Sequence, residues 1–192
     1  TETPPPLLFD LTTLQKNANR KHGFSADKTL SLAQALYEKK IISYPRTGSR
    51  YISEDVFETI PTLLHQLGIT LSQPLNRHAV DDHRVTDHHA LLPTGESPEG
   101  LSPEETMLYQ MILSRFIEAF APNSEEERMQ AELSDGTYRY SWRATHRLSL
   151  GWRAYSQDGG KDKAEATDDE EELLEQLPML TEGEHLPLRH SE

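Results

Sequence analysis

Ser25-Ala26-Asp27-Lys28-Thr29-Leu30-Ser31-Leu32-Ala33-Gln34-Ala35-Leu36-Tyr37-Glu38-Lys39-Lys40-Ile41-Ile42-Ser43-Tyr44-Pro45-Arg46-Thr47-Gly48-Ser49-Arg50-Tyr51 decides how the chain folds. Its first half reads as a helix over Ala26 to Lys39. Ser25 is a good N-cap, and Leu30, Ala33, Leu36 and Tyr37 recur at i, i+3, i+6 and i+7. Lys39 and Lys40 suit the negative end of its dipole. Ile41-Ile42-Ser43-Tyr44 is short, β-branched and aromatic, a strand stub. The remainder concentrates chemistry. In extended chain Tyr44 and Arg46 face the same way, and Pro45 between them stiffens the backbone. A phenol with a pKa near 10 is a poor nucleophile at neutral pH. A nearby cation or base makes it a better one, and a guanidinium also grips phosphate oxygens bidentately. Tyr44 beside Arg46 therefore suits attack on a phosphodiester. A strand-end tyrosine beside a surface arginine is the plainer reading, and other segments must decide between them.

Upstream, Asp10 or Thr12 caps a helix to about Lys21 carrying Leu11, Leu14 and Ala18, and Gly23 suits a left-handed cap. Thr1 to Pro6 is an extended, flexible lead-in. Helix, turn, helix and short strand outline a winged-helix-like module. Downstream, Ser53 caps a helix with Val56, Phe57 and Ile60 inward. Pro61 is expected to break it and start another turn carrying Leu63, Leu64 and Leu67. Residues 69–100 lack periodicity, and a loop that long is more often functional than idle. Ser102-Pro103-Glu104-Glu105 is a strong helix start, and Leu108 to Phe120 make a long apolar face stopped by Pro122.

Beyond Asn123 the texture becomes strand-like: Met129 to Leu133, Tyr138 to Thr145, and Leu148 to Ser156, with Asp135-Gly136 as a hairpin turn. Residues 157–176 are acidic and read as a disordered loop. The expected fold class is α+β: a mainly helical, winged-helix-like domain over residues 7–123, then a small antiparallel β unit over 124–192. That β unit has exposed edges and reads as needing partner strands from elsewhere.

The net charge of −13 over 192 residues argues at first against a nucleic-acid partner. Its distribution removes the objection. Residues 1–94 are neutral, with 10 charges of each sign, while the rest carries 9 basic and 22 acidic residues. The absence of cysteine excludes disulfides and thiolate metal sites, and fits a reducing compartment. No apolar run reaches a membrane span, and no leader peptide is visible. The chain opens without methionine and reads as a piece of something longer.

Four of the nine histidines fall within residues 78–89, with Asp81, Asp82 and Asp87. His and Asp are metal ligands, and Asp87-His88-His89 is similar to a motif of two-metal phosphoesterases. That family also needs further Asp motifs on a doubly wound core, which this chain lacks. Surface histidines in a loop, a metal site, and a phosphate-contacting histidine all remain open on these residues alone.

Thr13-Leu14-Gln15, then Thr29-Leu30-Ser31-Leu32-Ala33-Gln34-Ala35-Leu36-Tyr37-Glu38, then Ile42-Ser43-Tyr44-Pro45-Arg46-Thr47 resembles the type IA DNA topoisomerases around their active-site tyrosine. Asp87-His88-His89-Ala90-Leu91-Leu92-Pro93-Thr94 resembles the histidine motif that follows there, and its His-His and Pro-Thr are closer to the topoisomerase III branch. Leu108 to Phe116 and Leu177-Pro178-Met179-Leu180 match in kind. The resemblance covers most of the chain, in order.

It implies a fragment: the tyrosine-bearing domain plus returning strands of the arch, without the N-terminal Mg²⁺-binding domain or the C-terminal domains. The implied partner is single-stranded DNA. The implied place is the cytoplasm, at the nucleoid, and the piece itself is expected to be a monomer. By resemblance Tyr44 attacks the strand and holds its 5′-phosphate, Arg46 stabilises phosphate charge, and His88 contacts the phosphate. Gln15, Thr47, Ser49 and His89 are implied contacts to DNA. No metal ligand is expected in this piece, Mg²⁺ being a cofactor of the full-length enzyme. The family often has an acidic residue where this chain has Gly48, so no proton-relay role carries over to that position. A non-catalytic winged-helix DNA-binding module is the alternative.

Overall fold

The computed structural model describes residues 1–134, 136–156 and 183. Four helices form the first part: α1 (Leu11–His22), α2 (Ala26–Glu38), α3 (Glu54–Gln66) and α4 (Pro103–Phe120). A three-stranded antiparallel sheet follows, ordered β1 (Glu2–Thr3), β2 (Ser124–Ser134), β3 (Arg139–Ser149). The class is α+β.

The helix ends follow local chemistry. Asp10 accepts from the Thr13 backbone N–H at 2.7 Å, and the Asp10 N–H donates to the Thr13 hydroxyl at 3.1 Å. Together they satisfy two donors that the first turn leaves open. Gly23 ends α1 at φ 70, a conformation glycine adopts without steric cost. Ser25, Ser53 and Ser102 cap the other three helices, and Glu105 completes a reciprocal box with Ser102.

α3 runs unbroken through Pro61, against the expectation of two pieces. Proline removes one helical hydrogen bond and crowds the preceding turn. Both halves of α3 bury apolar residues in one core: Ile60 and Leu64 are buried, and Val56, Phe57, Leu63 and Leu67 pack beside them. Burying each such side chain contributes about 1.5–3 kcal/mol, enough to offset the lost bond.

Two apolar cores meet along α4. Phe116 and Phe120 join α3, Leu8 and Ile52 in one, and Leu108, Met111 and Ile112 join α1, α2 and Ile42 in the other. α2 and α4 are also tied at their ends, where Lys39 donates to the Glu105 carboxylate at 2.8 Å.

The lead-in is docked along the protein. Glu2 and Thr3 pair with Glu125 and Ser124, and Pro5 is buried. β2 and β3 form the long hairpin expected from the alternation. The expected strand over Leu148 to Ser156 is corrected: β3 ends at Ser149, and Gly151–Tyr155 is a 3-10 turn. The cause is Trp152, which packs onto the α3–α4 core and donates its indole N–H to the Thr3 carbonyl at 3.2 Å. An extended chain would carry that ring away from the core. Between α2 and α3 the described residues form no hairpin. Ile42 and Ile52 make isolated bridges to Pro93 and Val80.

Candidate active site

The stretch from Ser43 to Tyr51 links the two cores. Ile42 is buried in one and Ile52 in the other. Between them the chain makes an irregular excursion whose ends are clamped to neighbouring positions of the 78–94 segment. The Ser43 N–H donates to the Leu92 carbonyl at 2.9 Å, and the Ala90 N–H donates to the Tyr51 carbonyl at 2.9 Å. The Ser43 hydroxyl adds a second tie, accepting from the Leu92 N–H at 2.9 Å. Seven residues thus bulge out between two anchors only two positions apart on the partner segment.

Polar side chains brace the bulge from inside. Thr47 is 5% exposed, and its hydroxyl donates to the His88 carbonyl at 3.0 Å. Its own carbonyl accepts from the Leu11 N–H at 3.1 Å, which binds the bulge to the start of α1. Ser49 is 4% exposed. Its hydroxyl donates to the Arg84 carbonyl at 2.8 Å and accepts from the Tyr51 N–H at 3.1 Å. Neither hydroxyl is presented to solvent. Pro45 is buried as well.

These anchors bring Tyr44 and His88 together from positions far apart in sequence. Their ring centroids lie 4.7 Å apart at 50°. Tyr37, from the last turn of α2, meets Tyr44 edge-on with centroids 5.4 Å apart at 76°. Tyr44 is half-buried, and its hydroxyl makes no hydrogen bond among the described residues. Arg46 is exposed and makes no ion pair among them. Tyr44 and His88 therefore set a phenol beside an imidazole, with the exposed Arg46 two positions further along the same braced backbone. A nucleophile held by rigid packing next to groups that stabilise an anion is what acyl or phosphoryl chemistry requires.

The other expected residues are also placed. Gln15 donates from its amide to the Ala26 carbonyl at 3.0 Å, tying α1 to α2. His89 is half-buried, with Nδ1 2.7 Å from the Ala90 carbonyl. At Gly48 an added Cβ would meet nothing within 4 Å, so the position has room for the acidic side chain that it lacks. Arg84 stands over the Tyr51 ring with its guanidinium 4.9 Å from the centroid and pairs with Asp81 at 3.2 Å. The contact of Tyr37 with Tyr44 was not legible in the sequence, where Tyr37 reads as a core residue of the α2 stripe.

Mg²⁺ takes a near-octahedral set of oxygen ligands. Among the described residues no three His, Asp or Glu side chains gather at one point. Asp81 and Asp82 accept from the backbone N–H groups of His83 and Glu54, which orders the turn instead. The described residues do not fit that ion.

A family model for DNA topoisomerase matches residues 1–192. The chain belongs to the type IA DNA topoisomerase family. It is 36% identical over 197 residues to DNA topoisomerase 3 of Shouchella clausii, covering 95% of this chain and 26% of that protein. To DNA topoisomerase 3 of Bacillus licheniformis it is 37% identical over 203 residues, covering 96% and 26%. Full-length topoisomerase I from Thermotoga maritima matches all of this chain with 30% of its own, at a TM-score of 0.59 and 24% identity, a likeness of fold. The chain thus spans about a quarter of the length of the curated topoisomerases that it matches. Among the described residues no helix is long and apolar enough to cross a membrane.

Proposed function

We propose that this chain supplies the strand-cutting tyrosine of a DNA topoisomerase, an isomerase acting on single-stranded DNA. The observation that carries the reading is the Tyr44–His88 ring contact on a bulge braced from three sides. The Tyr44 oxygen attacks a backbone phosphorus. A phosphorus–oxygen bond to tyrosine forms as the bond to the 3′ oxygen breaks. The electron pair leaves with that oxygen, which takes a proton, while the phenol proton passes to a base or to water. The 5′-phosphate stays on Tyr44. The reverse reaction reseals the strand after a second strand has passed, and sealing needs no ATP because a phosphodiester has been exchanged for another.

Arg46 in this reading neutralises charge on the phosphate oxygens, and its planar fork suits two of them. His88 touches the same phosphate. Thr47 and Ser49 act through the backbone that they brace. Gln15 and His89 each keep one polar atom beyond the contacts described and are proposed to reach backbone or sugar. Residues 7–123 form the tyrosine-bearing unit and 124–192 part of an arch. Mg²⁺ belongs to another part of the full-length protein, which works at the nucleoid in the cytoplasm. The isolated chain neither relaxes DNA nor cuts it well, and Mg²⁺-dependent relaxation by the purified chain would refute that.

The test is Tyr44→Phe in the full-length protein. Covalent capture of a single-stranded oligonucleotide is lost, while its binding stays within about twofold, since only one hydroxyl is removed. Capture that survives overturns the assignment. A wild-type protein that binds without ever forming an adduct is instead a non-catalytic, winged-helix DNA-binding module.

A further inference from the structure

We propose that Tyr37 is a positioning residue for the reaction at Tyr44, fixing the angle of the nucleophile's ring by edge-to-face contact. The proposal rests on the reading of Tyr44 as nucleophile. A phenol can attack phosphorus only along a narrow range of directions, and its oxygen swings with two side-chain torsions. The backbone braces at Ser43, Thr47 and Ser49 fix where the Tyr44 Cα sits. They do not fix the ring.

Two contacts do. One is the His88 ring at 4.7 Å, on an exposed residue of a loop. The other is Tyr37, which comes from a helix. Aromatic rings favour edge-to-face geometry at such separations, and the 76° angle and 5.4 Å distance fall within it.

Tyr37 is itself well anchored. It lies one residue before the end of α2, and its carbonyl accepts from the Lys40 N–H at 2.8 Å. Lys40 sits at φ 60, a left-handed conformation that a lysine rarely adopts. It is held there by neighbours: the Lys40 carbonyl accepts from the Thr94 hydroxyl, and the Thr94 N–H donates to the Ile41 carbonyl at 3.0 Å. This turn sets the path from Tyr37 to Tyr44. It brings the two rings together although they lie seven positions apart and the helix between them has ended.

The burial of Tyr37 supports this role over a purely structural one. It is 39% exposed while Ala33 and Leu36 on the same helix are fully buried, so the core does not depend on its ring. Its hydroxyl makes no hydrogen bond among the described residues. The working part is the ring.

The experiment compares Tyr37→Phe, Tyr37→Leu and Tyr44→Phe in the full-length protein, reading covalent capture rate and affinity for one single-stranded oligonucleotide. Tyr37→Phe keeps the ring and captures within about twofold of wild type, because edge-to-face packing needs no hydroxyl. Tyr37→Leu keeps bulk and slows capture at saturating DNA by about tenfold or more, with affinity unchanged within about twofold, as misplacement of a nucleophile does. Any one of these outcomes overturns the proposal: Tyr37→Leu captures at the wild-type rate, or its affinity falls in step with its rate, or Tyr37→Phe is as slow as Tyr37→Leu. Melting temperature, read for each variant, separates slow capture from unfolding, and loss of folding in Tyr37→Leu would also overturn it by making Tyr37 a core residue. Capture by Tyr44→Phe instead refutes the nucleophile itself.

Discussion

The Thr47 hydroxyl donates to the His88 backbone carbonyl at 3.0 Å, across 41 positions of sequence. This bond fastens the bulge that carries Tyr44 to the segment that carries His88. Thr47→Val keeps the shape and removes both this donor and the acceptor that the Ser49 N–H reaches at 3.1 Å. Losing each such bond costs about 1–2 kcal/mol. Capture should fall by about tenfold, because the two rings lose their common reference. Single-turnover capture by the full-length protein measures it. An unchanged rate would mean that the Ser43 and Tyr51 anchors suffice alone.

Arg115 joins α4 to the stretch just before α1, at Leu7 and Phe9. Its Nε donates to Glu118 at 3.2 Å, its Nη1 donates to the Leu7 carbonyl at 3.2 Å, and its guanidinium lies 4.2 Å from the centre of the Phe9 ring. Burial pushes its pKa down, and the Glu118 carboxylate opposes that shift, so the group stays charged. Arg115→Met should destabilise by about 2–4 kcal/mol, since it removes the cation beside a buried carboxylate. Adding Glu118→Gln should recover part of the loss. Hydrogen exchange of the α4 amides checks both.

Glu105 titrates with a sign that can be stated in advance. The hydrogen bond from Lys39, then that from the Ser102 N–H, hold its carboxyl below the usual range. A depressed folded-state pKa gives stability that is present above the unfolded value, about 4.3, and is lost as pH falls through the lower folded value. The α2–α4 junction should therefore loosen only in acid. Glu105→Gln should flatten the pH dependence there, and exchange of the first-turn amides of α4 from pH 6 to pH 3 measures it.

Gly151 sits at φ 50, and a Cβ there would meet the Asn123 carbonyl oxygen at 2.1 Å. Both strain and collision oppose any side chain at this position. Gly151→Ala should push the 3-10 turn outward and carry Trp152 from its place beside the Thr3 carbonyl. Red-shifted emission from Trp152, read in a Trp142→Phe background, is the expected result.

The helices were legible because their signals are local. Caps at Asp10, Ser25, Ser53 and Ser102 and the stripes behind them need only nearby residues. Pro61 misled because the energy that carries α3 through it comes from Phe116 and Phe120, more than fifty positions away. The turn at Gly151 was hidden for the same reason: Leu148 to Ser156 alternate like a strand, and only the core that receives Trp152 overrides the pattern. At the site, Tyr44, Arg46 and His88 were visible as residue types. The clamp by Leu92 and Ala90, the inward turn of Thr47 and Ser49, and the Tyr37 contact depend on long-range pairing that spacing does not encode.

The central claim is that the Tyr44 oxygen becomes bonded to DNA. The direct measurement is mass spectrometry of the full-length protein trapped on a single-stranded oligonucleotide and digested with trypsin. Cleavage after Lys40 and Arg46 releases Ile41-Ile42-Ser43-Tyr44-Pro45-Arg46. The account predicts a nucleotide 5′-phosphate on that peptide, with fragment ions placing it on Tyr44. An adduct on Tyr37, Tyr51 or any other residue, with this peptide unmodified, would contradict it.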